Sequence, residues 1–254
     1  MNRAWIATGI LLAVSAAMQA QQSQADSGNM AGMDMSHASD SQPPMAGQGD
    51  AMQAMQGHHM DMGPHMKMTA LRPADPADQE KAAAVAKAAR EVAEKYLDYR
   101  TALADGYKIF LPNFPQKQYH FTNYRNAYLA RDHFDPSLPS SLLYEKKGDG
   151  YKLVGVMYTA RKDASEDELN ARVPLGVAQW HAHVNLCVPS WTRREDVVQP
   201  GHKFGLNGSI ATKEACDAAG GKFFPQVFGW MVHVYPFEQK PEDVWSVERQ
   251  AHMD

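Results

Sequence analysis

The chain has 254 residues, 44% of them apolar and 21% charged, and a net charge of −4, which allows one large domain or two small ones. Two Cys are too few for a disulfide-dense miniprotein or an all-cysteine zinc or iron–sulfur site, and no segment carries the basic excess of a nucleic-acid binder. The unusual counts are 15 Met and 11 His, with Met concentrated between Met30 and Met68.

Residues 1–20 read as an export signal. Arg3 precedes an apolar run, Ile6 to Ala17, broken only by Thr8, Gly9 and Ser15, and small residues follow. The run is too short to span a bilayer, and cleavage after Ala17 or Ala20 is expected. No later run approaches 18 apolar residues, so the mature chain is expected to be periplasmic or secreted, with no membrane span.

Residues 21–70 contain no Val, Ile, Phe, Tyr or Trp. Such a segment buries too little to offset its ordering entropy and is expected to be disordered. It carries Met33 and Met35, then His58, His59, Met60 and Met62, then His65, Met66 and Met68. Thioethers favour Cu(I), and imidazole extends the range to Cu(II). The clustering resembles the Met/His-rich segments of periplasmic copper-resistance proteins. That resemblance implies copper as the cofactor, and metal ions and another copper-handling protein as partners.

Residues 71–254 are expected to form one α+β domain, a long N-terminal helix packed on a mostly antiparallel β-sheet. Asp75 is a plausible N-cap, with Pro76 at the first helical position and Asp78 in the first turn. Val85, Val92, Tyr96, Tyr99 and Leu103 form one apolar stripe, and Gly106 is a natural stop. The pattern predicts a helix over 76–104. Beyond it the period shifts toward two. Runs at 142–145 and 151–159 flank a loop and predict a hairpin. Ser165 and Glu168 have capping-box spacing. Strands are expected at 177–188 and 227–235, with a short helix at 213–219 between them.

The segments KYLDYRTALADGY (95–107), YHFTN (119–123), FDPSLPSSLLYE (134–145), YKLVGVMYTA (151–160) and WHAHVNLC (180–187) resemble an uncharacterised family of exported bacterial proteins. The resemblance implies export and a shared domain, and lends no catalytic residue.

Chemistry concentrates on 177–188. At period two, Ala178, Trp180, Ala182, Val184, Leu186 and Val188 form an apolar face. Gln179, His181, His183, Asn185 and Cys187 fall on the other. Two imidazoles two residues apart on one strand can share a first-row metal. Alternation in 230–235 places His233 on the face opposite Trp230, Val232 and Val234, beside Met231 and Tyr235, so His233 is the leading third ligand. His120 and His133 are further candidates, with Gln179 and Asn185 behind the ligands, Asn185 orienting a bound water or substrate. Copper is the favoured ion, with zinc or iron possible at a three-histidine site. His-x-His also occurs in cupins, but their pattern puts a Glu where Cys187 stands. The even pair Cys187 and Cys216 reads as a disulfide in an oxidising compartment; the other option is Cys187 as a copper thiolate. No nucleophile elbow, phosphate loop or His-Glu-x-x-His motif occurs. Two function classes remain. One is an exported copper-binding protein for metal handling or resistance. The other is a secreted mononuclear metalloenzyme that activates water or oxygen.

Overall fold

Alternating apolar residues in the second half of the chain build an antiparallel sheet. The computed structural model describes residues 63–113, 116–190, 203–246 and 249. The expected export signal and the tail ligands Met33, Met35, His58, His59, Met60 and Met62 lie outside the described residues. The strands are β1 (Met66–Met68), β2 (Lys108–Ile109), β3 (Tyr119–Thr122), β4 (Ser141–Lys147), β5 (Gly150–Ala160), β6 (His181–Val188), β7 (Lys222–Gln226) and β8 (Trp230–Val234). They pair in the order β1-β6-β8-β5-β4-β3-β2, with β7 on β6. No helix among the described residues is long and apolar enough to cross a membrane.

Helix α1 (Pro76–Ala93) starts where expected: Asp75 caps it by accepting from the Asp78 amide at 2.8 Å. It does not run on to 104. A 3-10 turn (Glu94–Tyr96) intervenes, and Asp98 caps a new helix, α2 (Tyr99–Ala104), by accepting from the Arg100 amide. A short polar side chain that captures a backbone N–H offers the chain a fresh start instead of a continued turn. The break rotates the stripe, so Ala102 is buried and Leu103 is 41% exposed. Gly106, at φ 88°, then reverses the chain in a backbone conformation that suits glycine.

The β4–β5 hairpin is as expected, except that its loop is tight: Lys147 already pairs with Gly150. Helix α3 (Tyr124–Leu129) follows β3. Helix α4 (Glu166–Arg172) opens with the expected capping box between Ser165 and Glu168. Helix α5 (Lys213–Ala218) lies beside β6 and β7, and α6 (Pro241–Val244) ends the described fold.

The sheet curls strongly. Strands β3 and β8 are separated by two strands, which would put them roughly 14 Å apart in a flat sheet. Yet the rings of His120 on β3 and His233 on β8 are 5.5 Å apart, and Phe110 and Phe228 meet edge-on at 5.8 Å. A register shift at Leu143/Tyr144 bends β4. Gly155 opposite lets the curl close: a Cβ there would sit 2.6 Å from the Val234 carbonyl oxygen and 2.9 Å from the Tyr235 ring. The outer face carries the main core, where Ala82, Val85 and Ala89 of α1 pack with Tyr144, Val156, Tyr158, Trp180, Val232 and Val234. The inner face carries a different set of residues.

The segment 63–69 departs from the expected disorder. Strand β1 pairs with β6, Met66 opposite His183 and Met68 opposite His181. The Thr69 amide donates to the Trp180 carbonyl, and the Thr69 hydroxyl accepts from the Trp180 amide. Apolar content understated this segment because it adds to an exposed strand edge through backbone bonds, which composition does not register. The Cys187–Cys216 disulfide forms, with Cα atoms 5.6 Å apart, which removes the copper-thiolate option for Cys187.

Candidate functional site

Directly opposed residues on antiparallel strands share a face. The register therefore places His181 and His183 of β6, Met231 and His233 of β8, and Met157 and Thr159 of β5 on the inner face. It does the same for Ser141 of β4 and for Thr122 and His120 of β3. The curl turns these side chains toward one another. His181 and His183 rings are 5.7 Å apart, His181 and His233 5.0 Å, and His233 and His120 5.5 Å. His181 and His233 are fully buried, His183 is 3% exposed and His120 6%.

Two of these rings hold a nitrogen with no compensation. Nε2 of His183 and Nε2 of His233 are buried with no hydrogen-bond partner among the described residues. A buried polar atom left without a partner costs about 1–3 kcal/mol, which favours a water or an ion at each of these nitrogens. The tautomer of His233 follows from its other side. Tyr235 donates its hydroxyl to Gln118 Oε1 at 3.3 Å, and His233 Nδ1 lies 3.4 Å from the same hydroxyl. With the phenol proton committed to Gln118, Nδ1–H is the donor to Tyr235 and Nε2 keeps its lone pair. Burial pushes the Tyr235 hydroxyl up to about 12, so it stays protonated. The backbone of Gln118 also accepts from His120.

Burial favours the neutral form of His120, His183 and His233. Desolvation, followed by the neighbouring His183, lowers His120 to about 4. Desolvation, followed by His65, lowers His183 to about 4. His233 lies well below the usual histidine range, through burial first and then the nearby His181, His120 and His183. Neutral imidazole is the form that binds a metal.

Above the cluster lies a cavity of about 710 Å³. His120 and His183 reach it, Phe110, Phe228, Met157 and Met231 wall it, and Arg131, Arg161 and Lys162 stand with Asp132 and Asp163 around it. Arg161 pairs with Asp132, Asp163 and Glu168. This volume falls in the range of small-molecule sites.

Of the residues expected from the sequence, the structure brings together His181, His183, His233 and His120. It leaves His133 apart, exposed after α3. Asn185 and Gln179 do not back the imidazoles. Asn185 sits at φ 56°, off the regular alternation, and donates to the Pro64 carbonyl. Gln179 donates to the Thr69 carbonyl. Both amides clamp the β1 segment. His65 does the same: its ring nitrogens face the carbonyl oxygens of Asn185 at 3.1 Å and Gly208 at 2.6 Å, so it anchors instead of ligating. Met66 and Met68 are half-buried beside the histidine strand. Gln118 and Tyr235 were not singled out by sequence. Tyr235 shares the alternation of His233, whereas nothing local marks Gln118, which acts through the curl.

Among the described residues no group of three or more His, Cys, Asp or Glu side chains is arranged to hold a metal ion. Comparison with protein-family models, curated proteins and solved structures finds no match to this chain.

Proposed function

We propose that this is an exported metal-binding protein whose domain holds one transition-metal ion on His181, His183 and His233. The observation that carries the proposal is the pair of buried, uncompensated Nε2 atoms of His183 and His233 within a group of facing neutral imidazoles. Spacing supports it. Two imidazoles bound tetrahedrally through Nε2 put their ring centres roughly 5.2 Å apart. The 5.7 Å between His181 and His183 and the 5.0 Å between His181 and His233 fall on either side of that value. His120 stands next to His233 as an alternative donor. In this proposal the Met/His-rich segment gathers copper outside the cell membrane, and β1 ties its end to the strand that bears His181 and His183.

A second function is favoured by the cavity. A metal buffer needs no space of about 710 Å³ beside its ligands, whereas an enzyme that activates water or oxygen at an open coordination position does.

The test is Co(II) titration of the full chain, followed by visible absorption. Thioethers compete poorly for Co(II), so its tetrahedral nitrogen-ligand bands report the domain site. One equivalent with such bands is expected, lost in His183→Ala and in His233→Ala but kept in His133→Ala. Wild-type protein without these bands would overturn the proposal. Azide then separates the functions: an altered spectrum marks an exchangeable position and the enzyme, an unaltered one a closed holding site.

A further inference from the structure

The three histidines leave open which ion the site selects, and the inner face supplies the missing donor. We propose that the thioether of Met231 is the fourth ligand and that the site thereby selects Cu(I); this rests on the three-histidine site proposed above. Met231 is the register partner of His181 and lies two residues before His233 on the same face of β8. Opposed residues on one face have Cβ atoms about 4.5–5.5 Å apart, so Met231 adjoins two of the three imidazoles at once. It is 6% exposed and lines the cavity together with His183 and His120. Met157 also lines the cavity but faces only His233 across the strand pair, away from β6.

Two further thioethers share the inner face, Met66 opposite His183 and Met68 opposite His181, but both are only half-buried and neither lines the cavity. The remaining inner-face donors are engaged. The Thr122 hydroxyl is bound to Ser141 at 2.9 Å and that of Thr159 to Ser140 at 2.7 Å. Cys187 is in a disulfide. The carboxylates lining the cavity, Asp132 and Asp163, are both paired with Arg161. A ligand set of three neutral imidazoles and one thioether therefore carries no negative charge. The cost of burying an ion rises steeply with its charge, so a neutral buried set penalises a divalent ion far more than a monovalent one. Sulfur softness points the same way, toward Cu(I) over Zn(II). The alternative role for Met231 is filler, since it packs with Leu143, Val154, Met157 and Tyr235. Leucine fills space equally well, which makes the substitution informative: Leu and Met exchange at little cost to folding.

The experiment uses the full chain labelled with carbon-13 at its methionine methyl groups. The Met231 signal is assigned by its absence in Met231→Leu. On addition of Cu(I) the Met231 methyl is expected to shift while the Met157 methyl shifts less. In competition with a chromophoric Cu(I) chelator, Met231→Leu should weaken the equivalent that His183→Ala abolishes by about tenfold or more, with Co(II) affinity retained. Met157→Leu should leave both unchanged. A Met231 methyl that does not move, with unchanged Cu(I) affinity in Met231→Leu, would overturn the thioether assignment while the histidine site stands. Loss of both Co(II) and Cu(I) binding at the histidines in wild-type protein would remove the site itself and this ligand with it.

Discussion

The two faces of one sheet are built on opposite terms. The outer face takes Tyr144, Val156, Tyr158, Trp180, Val232 and Val234 and packs them against α1, with the burial typical of a stabilising core. The inner face, formed by alternate residues of the same strands, buries four histidines and two methionines under a cavity. Stability alone does not ask for imidazoles there, because leucine or valine would bury more apolar area without an uncompensated nitrogen. The difference teaches that the strands serve two demands at period two, one for folding and one for chemistry, and that substitutions on the two faces should behave oppositely.

Truncating the outer face should give the largest effect. Trp180 is fully buried, and Trp180→Ala should destabilise by about 3–5 kcal/mol in denaturant unfolding. A change below 1 kcal/mol would break the assignment of that face as the core.

Acid should act mainly through the inner face. His120 and His183 sit at about 4 in the fold against 6.5 in the unfolded chain, so between those values the unfolded state binds more protons. Stability is then full above pH 6.5 and is lost as pH falls toward 4. The metal-free protein should show a Tm that declines through that window, with a shallower decline in His183→Leu. An identical slope in the variant would place the acid sensitivity elsewhere.

His233→Leu should be smaller and opposite in sign to a core truncation. It removes the uncompensated Nε2 of a fully buried ring, so the metal-free variant should be at least as stable as wild type while losing the metal. A loss of about 2 kcal/mol or more would make His233 a structural residue held by Tyr235.

The smallest change is expected at Leu103. At 41% exposure, Leu103→Ala should shift stability by about 0.5 kcal/mol or less. A larger loss would restore the continuous helix expected from the sequence.

Much of the sheet was legible because period-two alternation is local. It separated His181 and His183 from Trp180 and Ala182, and His233 from Val232 and Val234, without any knowledge of the partner strands. The capping box at Ser165 and the disulfide were legible for the same reason: their signals sit in a few residues or in a count of two. The break at Asp98 was not, since a capping aspartate and a surface aspartate look alike until the backbone turns. The role of β1 was hidden because backbone pairing leaves no compositional trace. His120 could not be ranked above His133 from sequence. Only the curl, set by the bulge at Leu143/Tyr144 and the space left by Gly155, carries β3 over to β8. The clamp made by Asn185 is hidden because its positive φ breaks the alternation on which its placement rests, and that of Gln179 because the strand begins only at His181.

The most direct measurement of the central claim is anomalous diffraction at the metal edge from crystals of the copper-loaded full chain. One peak is expected between β6 and β8, about 2.0–2.1 Å from nitrogen atoms of His181, His183 and His233. A histidine group without a peak, in crystals that hold copper elsewhere, would contradict it.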